Sequence, residues 1–80
     1  MKELIRKLVE SFGPAGFEDE VRAIIHHEVK GLADEIRIGK LGDLIVMKRG
    51  SGGKKIMLVA HMDEIGLMVT HVDKRGYARV

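Results

Sequence analysis

The densest concentration of reactive side chains is Ala60-His61-Met62-Asp63-Glu64-Ile65-Gly66, immediately after an unbroken apolar run, Ile56-Met57-Leu58-Val59-Ala60. Such a run is expected of a central strand covered on both faces. In open α/β sheets the carboxyl ends of central strands form the crevice where ligands sit. A histidine at that edge can present a neutral imidazole to a divalent metal. Asp63, two residues on, shares its side of an extended chain and can take the hydrogen bond from the other ring nitrogen. A carboxylate so placed fixes the tautomer and raises the basicity of the ligand. His61 is therefore the candidate metal ligand and Asp63 the candidate supporting carboxylate. The tripeptide is common, and a satisfied edge histidine beside an exposed aspartate is the rival reading.

The chain carries its own control. His71-Val72-Asp73 repeats the pattern, but Asp73 opens a turn, where carboxylates bond their own backbone. Glu64, with no partner in view, reads as a solvated or capping group rather than a general base. His26 and His27 are adjacent on a helix and point about 100° apart, so both cannot serve one metal. Met47, Met57, Met62 and Met68 read as core filler. Gly50-Ser51-Gly52-Gly53-Lys54-Lys55 fails as a phosphate loop. Lys55 stands where Ser or Thr is required, and a strand follows rather than a helix. By composition it is a hairpin loop, with Lys48, Arg49, Lys54 and Lys55 keeping it solvated. No serine lies in a nucleophile elbow.

The elements that must position these residues change character halfway along the chain. Leu4, Ile5, Leu8, Val9 and Phe12 form a helical stripe. Gly13-Pro14-Ala15-Gly16 breaks it. A second helix follows, with Glu18, Asp19 and Glu20 complementing the dipole of its first turn. Its apolar stripe is Val21, Ile24, Ile25, Val29 and Leu32. The period then shortens: Ile36 and Ile38 flank Arg37, a Gly42-Asp43 turn precedes the strand Leu44–Met47, and Ile56–Ala60 follows. A further strand is expected from Ile65 to Val72, then a turn at Asp73–Gly76 and a last strand, Tyr77–Val80. That last pattern has no cap or polar tail to close it, which is unusual for a finished domain.

Composition narrows the classes. Eighty residues make one small domain at most, and there is no cysteine for a disulfide or thiolate site. A net charge of +2, no Trp, one Tyr and two Phe give no ground for nucleic-acid binding. The charge is split, with 7 basic and 8 acidic groups in residues 1–40 against 7 and 4 in residues 41–80. No run is long enough to span a membrane, and the polar start shows no signal peptide, so the expected location is cytoplasmic.

Taken together, Phe12-Gly13-Pro14-Ala15-Gly16-Phe17-Glu18-Asp19-Glu20-Val21-Arg22, Gly42-Asp43-Leu44-Ile45 and His61-Met62-Asp63-Glu64-Ile65-Gly66 closely resemble the amino-terminal segment of the dinuclear-metal aminopeptidases. These include the tetrahedral, glutamyl and deblocking enzymes, and some members carry endoglucanase labels. The resemblance implies an α/β fold: two amino-terminal helices, then strands of a mixed sheet. It places residues 1–63 at the start of a catalytic domain and residues 64–80 in the first strands of an inserted β-rich dimerisation domain. It also implies two divalent ions, zinc or cobalt, with His61 ligating one and Asp63 supporting it from behind. The substrate class is peptides hydrolysed at their amino terminus by metal-activated water. The assembly is a homo-oligomer, from dimer to dodecamer. The remaining ligands and the catalytic glutamate come later in that family's chain, and Glu64 does not match the latter, so the 80 residues alone are expected to be inactive. Ala15 stands where many relatives have Ser, and Asp43 where Asn is frequent; neither is a ligand position.

Two rival functions are a noncatalytic module docking on a partner chain and a glycoside hydrolase. The second lacks a pair of carboxylates at the sites considered. Asn, Gln and Cys are all absent while Lys, Arg and Glu abound, which points to a thermophilic source. The complete protein is expected to melt above the mesophile range in a calorimetric scan; a midpoint inside that range contradicts the assignment.

Overall fold

The computed structural model describes all residues, Met1–Val80. Two helices come first, α1 over Lys2–Glu10 and α2 over Asp19–Val29. Four short strands follow: β1 at Glu35–Ile38, β2 at Leu44–Met47, β3 at His71–Val72 and β4 at Ala78–Arg79. They form two separate antiparallel ribbons, β1 with β2 and β3 with β4. The expected order, helices before strands, is observed. The one parallel pairing is an isolated bridge between Pro14 and Glu64.

Helix α1 stops two residues before the end of its apolar stripe. Ser11 turns extended, with φ −77° and ψ 154°, and its Oγ donates to the Leu8 carbonyl at 2.7 Å. Phe12 therefore leaves the helix and packs at a tilt on Phe17, ring centroids 6.4 Å apart. Between them Phe17 N donates to Pro14 O at 2.9 Å, and Gly16 takes φ +87°. That is a type II turn, whose third residue requires positive φ. Glu18 closes the entry to α2 by accepting the Gly16 amide at 2.6 Å. Helix α2 likewise ends at Val29, leaving Leu32 71% exposed rather than on the stripe. The helices are joined across their exposed side by Lys7 Nζ and Glu28 Oε1 at 3.0 Å, a pair of the kind worth about 0–1 kcal/mol.

Both ribbons use the same turn. Gly42 N donates to Gly39 O and Gly39 N to Asp43 O, with Gly42 at φ +87°. Gly76 N donates to Asp73 O and Asp73 N to Tyr77 O, with Gly76 at φ +89°. Each is a type I turn closed by a left-handed glycine, the usual three-residue hairpin. Arg22 ties α2 to the first of them, Nη1 donating to Gly42 O at 2.8 Å while Nη2 pairs with Asp19. At the open end of this ribbon, Asp34 N donates to Met47 O, and the Asp34 carboxylate accepts the Arg49 amide at 2.5 Å.

Three expectations are corrected. The glycine-rich stretch 50–53 is not a hairpin loop: β2 pairs with β1, so the two sides of that stretch are not strands of one ribbon. Ile56–Ala60 is not covered on both faces. Ile56, Met57, Leu58 and Val59 are 80–93% exposed, and an open groove of about 950 Å³ separates them from β2. The strand expected over 65–72 is paired only at His71–Val72, where β4 supplies a partner.

The consequence is a sparse core. Only Ser11, Gly13 and Val21 are buried. The surface is 7551 Å² for 8.9 kDa, against about 4,800 Å² for a compact globule of that mass. The radius of gyration is 17.3 Å, where about 12 Å is ordinary for the length. The packed part is the helical pair with the β1–β2 ribbon, and the later chain meets it around Met62–Gly66.

Two outcomes test this description. Asp34 is held below the usual carboxylate range, first by the Arg49 amide, against a smaller opposing cost of lost hydration, then by the charges of Lys48 and Arg49. A depressed folded value means its contribution is present above the unfolded value of about 3.9 and lost as pH falls through the folded one. Amide exchange at Arg49 should rise in that acid window and become insensitive to it in Asp34→Asn. Gly42→Ala should cost about 1–2 kcal/mol in denaturant unfolding, since a Cβ there takes left-handed strain and lies 3.0 Å from Arg22 Nη1. Gly50→Ala, in open space with ordinary φ, should cost nothing.

Candidate functional site

His61 lies where the bare apolar run turns back onto the helices. Its ring is held from one side only. Nδ1 is 2.9 Å from the Asp63 carbonyl oxygen and 3.2 Å from Asp63 Oδ1. A carbonyl can only accept, so Nδ1 carries the proton and the lone pair of the neutral ring is on Nε2. The His61 side chain is 85% exposed, which leaves Nε2 open, and the Asp63 side chain is 44% exposed. The expected juxtaposition of the two residues is present, with one refinement: the backbone of Asp63 shares the role of its carboxylate.

The chain from His61 to Glu64 crosses the helical pair over a cleft of about 200 Å³, lined by Leu8, Val9, Val21 and Ile25 from the helices. Met62 is half-buried there, an apolar anchor between two polar neighbours. Glu64 N donates to Gly13 O at 2.9 Å, which fixes the segment against the loop between α1 and α2. Sequence reasoning singled out neither Gly13 nor Met62 as part of this arrangement. A glycine beside a proline reads as a turn, and its second use, close approach, leaves no mark in the sequence.

The other candidates separate from this one. Asp73 Oδ1 accepts the amides of Arg75 and Tyr77, at 2.9 and 3.0 Å, as a turn carboxylate does, and His71 sits in β3 pairing with Arg79. The Glu64 carboxylate takes no hydrogen bond or ion pair and is exposed. His26 and His27 occupy the last turn of α2, where they complement its dipole. No three His, Cys, Asp or Glu side chains come together as a metal site. The site thus consists of one imidazole, of settled tautomer and open Nε2, with a carboxylate behind it. That donor set suits one position in a divalent-metal shell, and three protein ligands are the usual minimum for a catalytic zinc.

Residues 42–80 match the family model described as M42 glutamyl aminopeptidase. The lysyl aminopeptidase of Pyrococcus furiosus is 48% identical over 79 residues, covering 98% of this chain and 22% of its own. The glutamyl aminopeptidase of Lactococcus lactis is 32% identical over 78 residues, covering 95% of this chain and again 22% of its own. In structure, the chain superposes on a TET aminopeptidase from a marine-sediment Thaumarchaeota archaeon with a TM-score of 0.87 and 39% identity. That match covers 96% of this chain and 21% of the archaeal one. The chain therefore spans about a fifth of the length of the relatives it matches. In sequence and fold together, these 80 residues are similar to an amino-terminal segment of the M42 aminopeptidases.

Proposed function

We propose that residues 1–80 supply one wall and one metal ligand of a peptide-hydrolysing aminopeptidase site, and that they hydrolyse no peptide alone. The observation that carries this is the His61–Asp63 pair: a ring with its Nδ1 proton committed and its Nε2 open, in a chain of M42 type. His61 would hold a divalent ion, zinc or cobalt, through Nε2. Asp63 would keep the ring in that tautomer and orientation. The ion's contribution is Lewis-acid polarisation of the scissile carbonyl. The other ligands, and any group that moves a proton, must come from outside these residues.

Several finer features go with this reading. The residues up to about 63 belong to a catalytic domain and residues 64–80 open an inserted β-rich domain. The complete protein assembles as a homo-oligomer, and it acts on peptides in the cytoplasm. A noncatalytic docking segment is the second reading, favoured by the exposed run Ile56–Val59.

Zinc added to the 80-residue chain should shift the His61 Nε2 resonance and spare those of His26, His27 and His71. The 80 residues should release no amino-terminal residue from peptides with either metal, whereas a longer chain carrying them should. In that longer chain Asp63→Ala should lower metal affinity about 10–100-fold, read by equilibrium dialysis. Hydrolysis by the 80 residues alone contradicts the proposal, and a longer chain that binds metal fully after His61→Ala favours the docking reading.

A further inference from the structure

We infer that the loop from Phe12 to Phe17 is a positioning clamp for His61 and Asp63, and that Gly13, Pro14 and Gly66 make it. The inference rests on the proposed metal role for its purpose, though not for its geometry.

The loop is the most rigidly determined part of the chain. All three buried residues, Ser11, Gly13 and Val21, gather at it. The Pro14–Phe17 turn and the Glu18 carboxylate on the Gly16 amide lock its shape. Its outward connection is to one place. Glu64 N donates to Gly13 O, and Pro14 bridges Glu64 in parallel register. No other backbone hydrogen bond reaches residues 50–69.

Two glycines permit this packing: Gly13 lets the loop lie against α2, and Gly66 lets the second segment approach Pro14. A Cβ on Gly13 would lie 2.4 Å from Val21 Cγ2. A Cβ on Gly66 would lie 2.9 Å from Pro14 Cβ. Both distances are shorter than carbon atoms tolerate. By contrast, Gly50, Gly52 and Gly53 have nothing within 4 Å. Neither Gly13 nor Gly66 has positive φ, so close packing alone calls for glycine there.

The joint lies one residue from Asp63 and three from His61. Val59 on one side is 80% exposed and Ile65 on the other 101%, so neither flank can orient the pair. The clamp therefore sets where Asp63 presents its two oxygens, and Asp63 in turn sets the ring. Gly13, Pro14 and Gly66 act through other groups and are positioning residues.

The test uses the full 80-residue chain labelled with ¹⁵N, reading Glu64 amide exchange and the His61 tautomer at a pH where the ring is neutral. Gly66→Ala should speed exchange at Glu64 at least tenfold and shift His61 from the Nδ1–H form towards a mixture. In a Pro14→Gly background the opposing Cβ is gone, and Gly66→Ala should then change each readout less than twofold. Gly50→Ala should leave both within twofold of the parent. An unchanged Glu64 amide and tautomer in Gly66→Ala overturns the clamp. So does an equal loss in the Pro14→Gly background, which is also what general unfolding would give. Failure of the metal reading is seen separately: zinc leaves His61 Nε2 unmoved in the parent while the two clamp readouts still respond to Gly66→Ala.

Discussion

A single backbone hydrogen bond, from Glu64 N to Gly13 O, joins residues 50–80 to the chain before them. Its net contribution is ordinary, about 0.5–1.5 kcal/mol. Its importance comes from where it falls. On one side are the two helices, which pack through Val21, Leu8 and Ile25 and give the molecule what interior it has. On the other is a stretch of chain with hardly any interior at all. The bond needs the two segments to meet closely, which accounts for glycine at 66 against Pro14, while glycine at 13 lets the accepting loop pack on Val21 of α2. Proline at 14 adds a wall of fixed shape. The arrangement determines the position of everything from Met62 to Glu64.

The features legible in the sequence were those set by neighbours along the chain. Strand β2 was readable over Leu44–Met47, as was the turn at Gly42-Asp43 that introduces it. The second helix announced itself with Glu18, Asp19 and Glu20. Asp73 was distinguishable from Asp63 because its turn lies within four residues of it. What failed to read correctly depends on distant partners. Gly50-Ser51-Gly52-Gly53 has the composition of a hairpin loop, yet a hairpin requires its two flanks to choose each other, and β2 had already paired with β1. Helix α1 lost Phe12 because the Ser11 hydroxyl competes for the Leu8 carbonyl and the chain turns out to meet Phe17. The juxtaposition of His61 and Asp63 was legible by type and spacing. The clamp that holds them was not, since a glycine chosen for close contact looks the same as one chosen for a turn.

The apolar run Ile56–Ala60 is the case where sequence and structure disagree most usefully. Four of its five residues are among the most exposed hydrophobic side chains in the chain. At about 25 cal/mol per Å², an excess surface of some 2,700 Å² over a compact globule is a large unmet driving force, even if only half of it is apolar. A sequence that spends uncharged, β-favouring residues in this way is specified for a covered position. The archaeal chain on which these residues superpose is about five times as long. The expectation of a strand covered on both faces is not met within these 80 residues.

Site and surface are connected by their adjacency. His61 follows directly on Ala60, so whatever pairs with the run also approaches the ring from the side opposite the clamp. On the proposed reading, this orders the events. The clamp and Asp63 fix one ligand before any metal is present, which removes part of the entropy that ordering a ligand would otherwise cost. The remaining ligands can reach the same ion only when the elements that carry them have packed on Ile56–Ala60. Burial of the run and completion of the metal shell then become one cooperative step, each stabilised by the other. A lone imidazole in water binds divalent metal weakly and catalyses nothing. On the proposed reading, the same imidazole, clamped beside an uncovered apolar run, is one part of a site whose remaining part brings its own hydrophobic face.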